Sequence, residues 1–84
     1  MTAHLSHPAI INRLKRAHGH LASVIDMLAA ERPCVELAQQ LRAVENAISS
    51  AKKTLIHDHL SECLAHGDDA AKVMEDFRAI AKFL

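Results

Sequence analysis

The hydrophobic positions of this 84-residue chain step by three and four along most of its length, the period of an amphipathic α-helix. Ile10, Leu14, Ala17, Leu21, Val24/Ile25 and Leu28 form one such stripe. Ser6 precedes it as an N-cap, and Pro8 falls in the first turn, where a missing N–H costs nothing. The stripe should run out in Ala29-Ala30-Glu31-Arg32, before Pro33. Gly19 inside it costs about 1 kcal/mol against alanine, and a close backbone approach by a neighbouring helix would account for it.

Pro33 then opens a second helix at its favoured first position. The stripe Cys34, Leu37, Leu41, Val44, Ile48, Ala51, Leu55, His59 and Cys63 meets no Gly or Pro until Gly67. That span is roughly 50 Å long at 1.5 Å per residue. Gly67 suits a left-handed cap, with His66 in the last turn beside the negative end of the dipole. Asp68 or Asp69 caps a third helix carrying Val73, Phe77, Ile80 and Leu84. Residues 1–7 read as a flexible arm and 8–84 as one helical domain.

Composition narrows the class. Half the residues are hydrophobic but only 2% are aromatic, and Gly and Pro occur twice each. Sheet folds and Gly-rich nucleotide folds need more turn residues than that, so the fold class is all-α. No apolar run reaches the roughly 18–20 residues of a membrane span, and MTAHLSHPAI lacks the order of a signal peptide. A cytoplasmic protein follows as the expectation, with no membrane partner and with its two cysteines as thiols.

A helix of about 50 Å cannot be covered by one shorter helix of so small a chain, and its remaining apolar stripe calls for a second subunit. His59 and Cys63 stand at i, i+4 on one helical face, a spacing that lets two side chains grip one ion. A soft or borderline metal needs at least one more ligand. Cys34 lies on the same stripe but about 37 Å away along a straight helix. An antiparallel copy, crossing near residues 47–48 where Asn46, Ala47, Ser49, Ser50 and Ala51 are mostly small, brings Cys34 beside His59 and Cys63 of the other chain. The spacing thus predicts an antiparallel dimer with two Cys/His/Cys sites. Against this stands the plainer reading, that each cysteine simply packs in a core.

Seven histidines are many for 84 residues. His4 and His7 on the arm are candidate additional ligands, or are solvent-exposed and idle. His57 falls on another face than His59, and His18 and His20 suit packing or DNA contact better than metal. Glu62, beside Cys63, is a candidate outer acceptor or an ordinary exposed acid.

Net charge is zero, with ten basic and ten acidic residues, yet the first acid is Asp26. Arg13, Arg16 and His20 share one stripe of the first helix, with Lys15 beside it. Arg42 and Lys53 share a stripe of the second, with Lys52 adjoining. Repeated over an oligomer, these form a positive surface that binds DNA through phosphates and shape, or they are ordinary solvated cations. No helix-turn-helix is present. Nor is there a nucleophile–base pair, phosphate loop or carboxylate dyad, so the chain reads as no enzyme.

RLKRAHGHL, the single Cys after a short loop, LAQQLRAVENAI and LIHDHLSECL together resemble the CsoR/RcnR family of metal-responsive repressors, over roughly residues 7–66. The resemblance implies three-helix subunits assembled as a homotetramer, a dimer of antiparallel dimers built as four-helix bundles. It implies that the apo-protein binds double-stranded operator DNA, releases it on binding its effector, and so controls a metal efflux or resistance gene. Cys34, His59 and Cys63 occupy the family's ligand positions. Arg13, Arg16 and the Arg42/Lys52/Lys53 group correspond to its DNA-facing residues.

Within that family, Thr2 after the initiator Met argues against formaldehyde sensors, and His59 argues against persulfide sensors. Copper(I) sensors use Cys/His/Cys but carry a Tyr beside the first Cys, where this chain has Pro33. SHPAIINRLKRAHGHL resembles the nickel-resistance branch. Nickel(II) is the first expectation for the effector and copper(I) the second, with cobalt(II) or zinc(II) also open. The rival functions are a persulfide or thiol-redox repressor using both cysteines, a metal-buffering protein that ignores DNA, and a plain helical assembly module.

Overall fold

The computed structural model describes residues 6–67 and 69–84. Its elements are α1 (His7–Ala29), α2 (Cys34–Ala65) and α3 (Ala70–Ala81), with no strand among the described residues. The expected all-α, three-helix order with one long central helix is what forms.

α1 and α2 fold back on each other as an antiparallel hairpin. Ile10, Ala17 and Val24 are buried on α1, and Leu37, Val44 and Ala51 on α2. Both sets repeat every seven residues, the interval at which a helix returns nearly the same face to its neighbour. Ile56, outside the predicted stripe, is buried as well.

The other half of each predicted stripe stays bare. Leu14, Leu21 and Leu28 on α1, and Leu41, Ile48 and Leu55 on α2, repeat at the same seven-residue interval and are exposed. Ile10, Leu14, Ile48, Ala51, Lys52 and Leu55 line a shallow apolar groove between the two helices. The radius of gyration is 17.1 Å and the longest extent 54 Å, whereas a compact chain of this length has a radius near ~12 Å. The hairpin is elongated, with one apolar face of each helix uncovered within the chain.

The helix ends follow the expected cap chemistry in some places and depart from it in others. Ser6 occupies the N-cap of α1 with Pro8 behind it, yet its side chain makes no capping hydrogen bond. His7, expected on the arm, is already the first residue of α1; residues 1–5, including His4, lie outside the described residues. Pro33 is the N-cap of α2 rather than its first helical residue, and its carbonyl oxygen accepts from Leu37 N–H at 3.1 Å. Gly19 meets no backbone neighbour: a Cβ there would enter open space, so the close helix approach expected for it does not occur within this chain.

α1 terminates in a Schellman turn. The N–H groups of Glu31 and Arg32 donate to the carbonyls of Leu28 (3.0 Å) and Met27 (3.1 Å), with Glu31 held at φ 56°. That left-handed position ordinarily belongs to glycine. Arg32 then pairs with Glu36 across Pro33, at 2.9 Å, between two partly exposed side chains. At the far end of α2, Gly67 takes φ 67° as expected, and Asp69 caps α3 by accepting from Ala71 N–H at 3.4 Å. Asp68, the alternative cap, is outside the described residues. No described helix is long and apolar enough to cross a membrane.

Candidate metal centre

The last turns of α2 carry His59 and Cys63 on one face, because four residues of helix advance close to a full turn. Nε2 of His59 lies 3.7 Å from Sγ of Cys63. α3 folds back after Gly67 and delivers a third group: Oδ2 of Asp76 lies 3.8 Å from the same Nε2. One donor atom from each of the three residues falls within 4.8 Å of the others, and all three side chains are half-buried.

Helical spacing predicts the i, i+4 pair, and it does not predict Asp76. A signal for Asp76 is nevertheless present in the chain. Val73, Asp76, Phe77 and Ile80 fall at i, i+3, i+4 and i+7, so Asp76 interrupts the apolar face of α3 with a carboxylate. Val73, Asp76 and Ile80 are the half-buried side of that helix. Its carboxylate, 41% exposed, lies within ion-pair range of the imidazole at the end of α2.

Cys34 stands at the opposite end of α2, exposed at its first residue. At 1.5 Å per residue it is about 37 Å from His59 along the helix, so one chain does not bring it to the other two. His7 is half-buried at the start of α1, and His57 and His66 are exposed.

Thiolate, imidazole and carboxylate together form a borderline donor set that suits zinc, cobalt or nickel, while a set restricted to sulfur and nitrogen suits copper(I) as well. The residues present fit a transition ion. His59, Cys63 and Asp76 would hold it from one chain, and its positive charge would offset that of the thiolate and carboxylate.

The basic residues are arranged differently from two free stripes. Arg13 donates to Ser50 Oγ at 2.9 Å, and His20 Nε2 is hydrogen-bonded to Gln40 Oε1 at 2.6 Å. These contacts place both residues at the rim of the buried α1–α2 seam, so His20 packs against α2 instead of projecting with Arg16. Ser50 is one turn before Lys53, which sets Arg13 beside the basic residues of α2. Lys15, Arg16, Arg42, Lys52 and Lys53 are exposed, and Lys52 flanks the apolar groove.

The family described as metal-sensitive transcriptional repressor matches residues 6–84. The chain belongs to that family, the CsoR/RcnR repressors. It is 40% identical over 57 residues to the "Copper-sensing transcriptional repressor CsoR" of Mycobacterium ulcerans (strain Agy99), covering 68% of this chain and 49% of that protein. It is 35% identical over 75 residues to the protein of the same name from Bacillus subtilis (strain 168), covering 89% and 71%. A third relative is the "Transcriptional repressor RcnR" of Salmonella paratyphi B (strain ATCC BAA-1250 / SPB7), 29% identical over 72 residues, covering 86% and 80%. The chain thus spans about half the length of the Mycobacterium ulcerans relative. No solved structure gives a significant match. The family is one of transcriptional repressors, not of enzymes.

Proposed function

We propose that this chain is a metal-sensing repressor that holds double-stranded operator DNA in its metal-free form and releases it when a transition ion binds between subunits. The observation that carries the reading is the His59–Cys63 pair at 3.7 Å, on the helix end opposite the exposed thiol of Cys34. A second copy packed antiparallel along α2 supplies Cys34 to each such pair, and it covers the bare Leu14/Leu21/Leu28 and Leu41/Ile48/Leu55 faces in the same act. Two such dimers make the proposed homotetramer.

Nickel(II) or cobalt(II) is the effector in this reading. The carboxylate beside His59 favours a divalent ion over a soft monovalent one. Copper(I) is the second reading, favoured by the names of the Mycobacterium and Bacillus relatives. His4 and His7 are proposed as further ligands from the N-terminal segment. DNA is engaged by Arg13, Lys15, Arg16, Arg42, Lys52 and Lys53 through phosphates, which gives affinity that falls steeply with salt.

Release follows from linkage. An ion that binds the DNA-free arrangement more tightly shifts the population toward it, and DNA must weaken ion binding by the same factor. Fluorescence anisotropy with a labelled fragment of the chain's own promoter region tests this, with nickel(II) and copper(I) each titrated into the complex. Release by one metal at about one ion per subunit is the expected result. Equal metal affinity with and without DNA would overturn the repressor mechanism and leave a metal buffer.

A further inference from the structure

We infer that Ser50 is a positioning residue for DNA binding: its hydroxyl holds the Arg13 guanidinium across the α1–α2 seam, at the turn of α2 that carries Lys53. Arg13 and Lys53 then form one two-helix cradle for backbone phosphates. This rests on the reading of the chain as a DNA-binding repressor and deepens it by giving a neutral residue a place on the DNA surface.

Three observations converge. The first is charge. Arg13 Nη1 donates to Ser50 Oγ at 2.9 Å, and no carboxylate among the described residues pairs with Arg13. Arg32 shows the alternative: its Nε and Nη2 hold both carboxylate oxygens of Glu36 at 2.9–3.3 Å. A carboxylate partner cancels the charge of its arginine, whereas a hydroxyl leaves it whole. Four of the five guanidinium N–H groups remain, in a fixed fork suited to phosphate.

The second is reach. Arg13 is half-buried, although Lys15 and Arg16 on the same helix are exposed. Its side chain crosses to α2 instead of extending into solvent. Ser50 and Lys53 are three residues apart on α2, neighbours on the helix surface, and both are exposed. An arginine ordered in advance loses less side-chain freedom when a phosphate arrives.

The third is the contrast between the two rims of the hairpin. His20 Nε2 is hydrogen-bonded to Gln40 Oε1 at 2.6 Å, so the polar tie recurs seven residues further along α1. On the other flank of the buried Ile10, Ala17 and Val24 lie the exposed Leu14, Leu21 and Leu28. A second copy that covers this apolar rim leaves the tied rim open. The cradle is therefore accessible in the assembly that the bare leucines call for.

The test measures binding of a labelled duplex from the chain's own promoter region to the reduced, metal-free full chain, by anisotropy over a range of salt. Ser50→Ala should weaken binding about 10-fold or more, because the freed arginine must be ordered again in each subunit that engages DNA. The slope of log affinity against log salt should not change, since no charge is removed. Ser50→Thr, which keeps the hydroxyl, should stay within about threefold of wild type. Arg13→Ala should weaken binding and also make the slope shallower. In the Arg13→Ala background, adding Ser50→Ala should cost less than about twofold, because the two residues act as one unit. Circular dichroism and sedimentation velocity establish that each variant keeps its helices and its assembly.

Wild-type affinity in Ser50→Ala overturns the assignment, as does an undiminished cost of that change without Arg13, or a Ser50→Thr protein as weak as Ser50→Ala. Each of these leaves the repressor reading standing. If wild-type protein shows no salt-dependent binding to the duplex, the repressor reading falls and the role of Ser50 falls with it.

Discussion

Nε2 of His59 faces Sγ of Cys63 at 3.7 Å across one turn of α2, and this pair is the fixed half of the candidate site. Both residues belong to one helix, so their separation is set by backbone geometry and needs no partner to form. His59→Ala should therefore lower metal affinity by about 10–100-fold while the metal-free protein still binds DNA. Chelator competition and anisotropy read the two properties separately. A variant that still responds to persulfide as the wild type does would point to the thiol switch instead.

Sharing of the site between subunits predicts complementation. Cys34→Ala and Cys63→Ala proteins should each bind no ion tightly. After mixing, denaturing and refolding together, about a quarter of the wild-type sites should return. Half of the dimers are then mixed, and each mixed dimer restores one of its two sites. No recovery in the metal stoichiometry means that Cys34 does not act across the subunit interface.

The bare heptad face gives a prediction about assembly. Ile48 is 47% exposed in the single chain and sits at mid-α2. Ile48→Glu should convert an oligomer to monomer in sedimentation velocity and reduce helicity, since isolated helices depend on the apolar face they bury. An unchanged sedimentation coefficient rules that face out as the subunit interface.

For the DNA surface, Lys53→Ala should weaken binding for every sequence tested. It should also make the slope of log affinity against log salt shallower by about one for each phosphate that the side chain neutralises. If only one sequence is affected, Lys53 reads bases and the phosphate model is wrong for it.

The left-handed residue that ends α1 is a glutamate, at φ 56°. Glu31→Gly should stabilise the protein by about 0.5–1 kcal/mol, the penalty of a side chain in that region less the extra entropy of unfolded glycine. Thermal melts at equal protein concentration, needed because assembly contributes to stability, should show a rise of a few degrees. A lower melting temperature would mean that the Glu31 side chain makes an interaction worth more than its strain.

Much of this architecture is written in local pattern. The stripe through Ile10, Ala17 and Val24, the Pro33 break, Gly67 and the Asp69 cap each announce themselves through periodicity or cap chemistry, and they define three helices. Glu31 does not, because its Schellman turn uses a residue type that carries no turn signal. Gly19 misleads for the opposite reason: its type suggests a close approach, and the chain places open space there. His59 and Cys63 are legible since one helix fixes them. The approach of Asp76 depends on how α3 folds back on α2, a relation that no spacing along the chain encodes. Only its place in an apolar stripe marks it out.

α3 has no fully buried residue, so its docking on α2 has little apolar burial to maintain it. Helices of this kind open well below the free energy of global unfolding. Backbone amides from Val73 to Ile80 should exchange with solvent faster than those around Val24 and Val44, even at full occupancy of the native state. Because Asp76 sits beside His59 at that docking surface, whatever engages the imidazole alters how long α3 stays closed. The shortest helix is then the place where the chain's chemistry is most visible as motion.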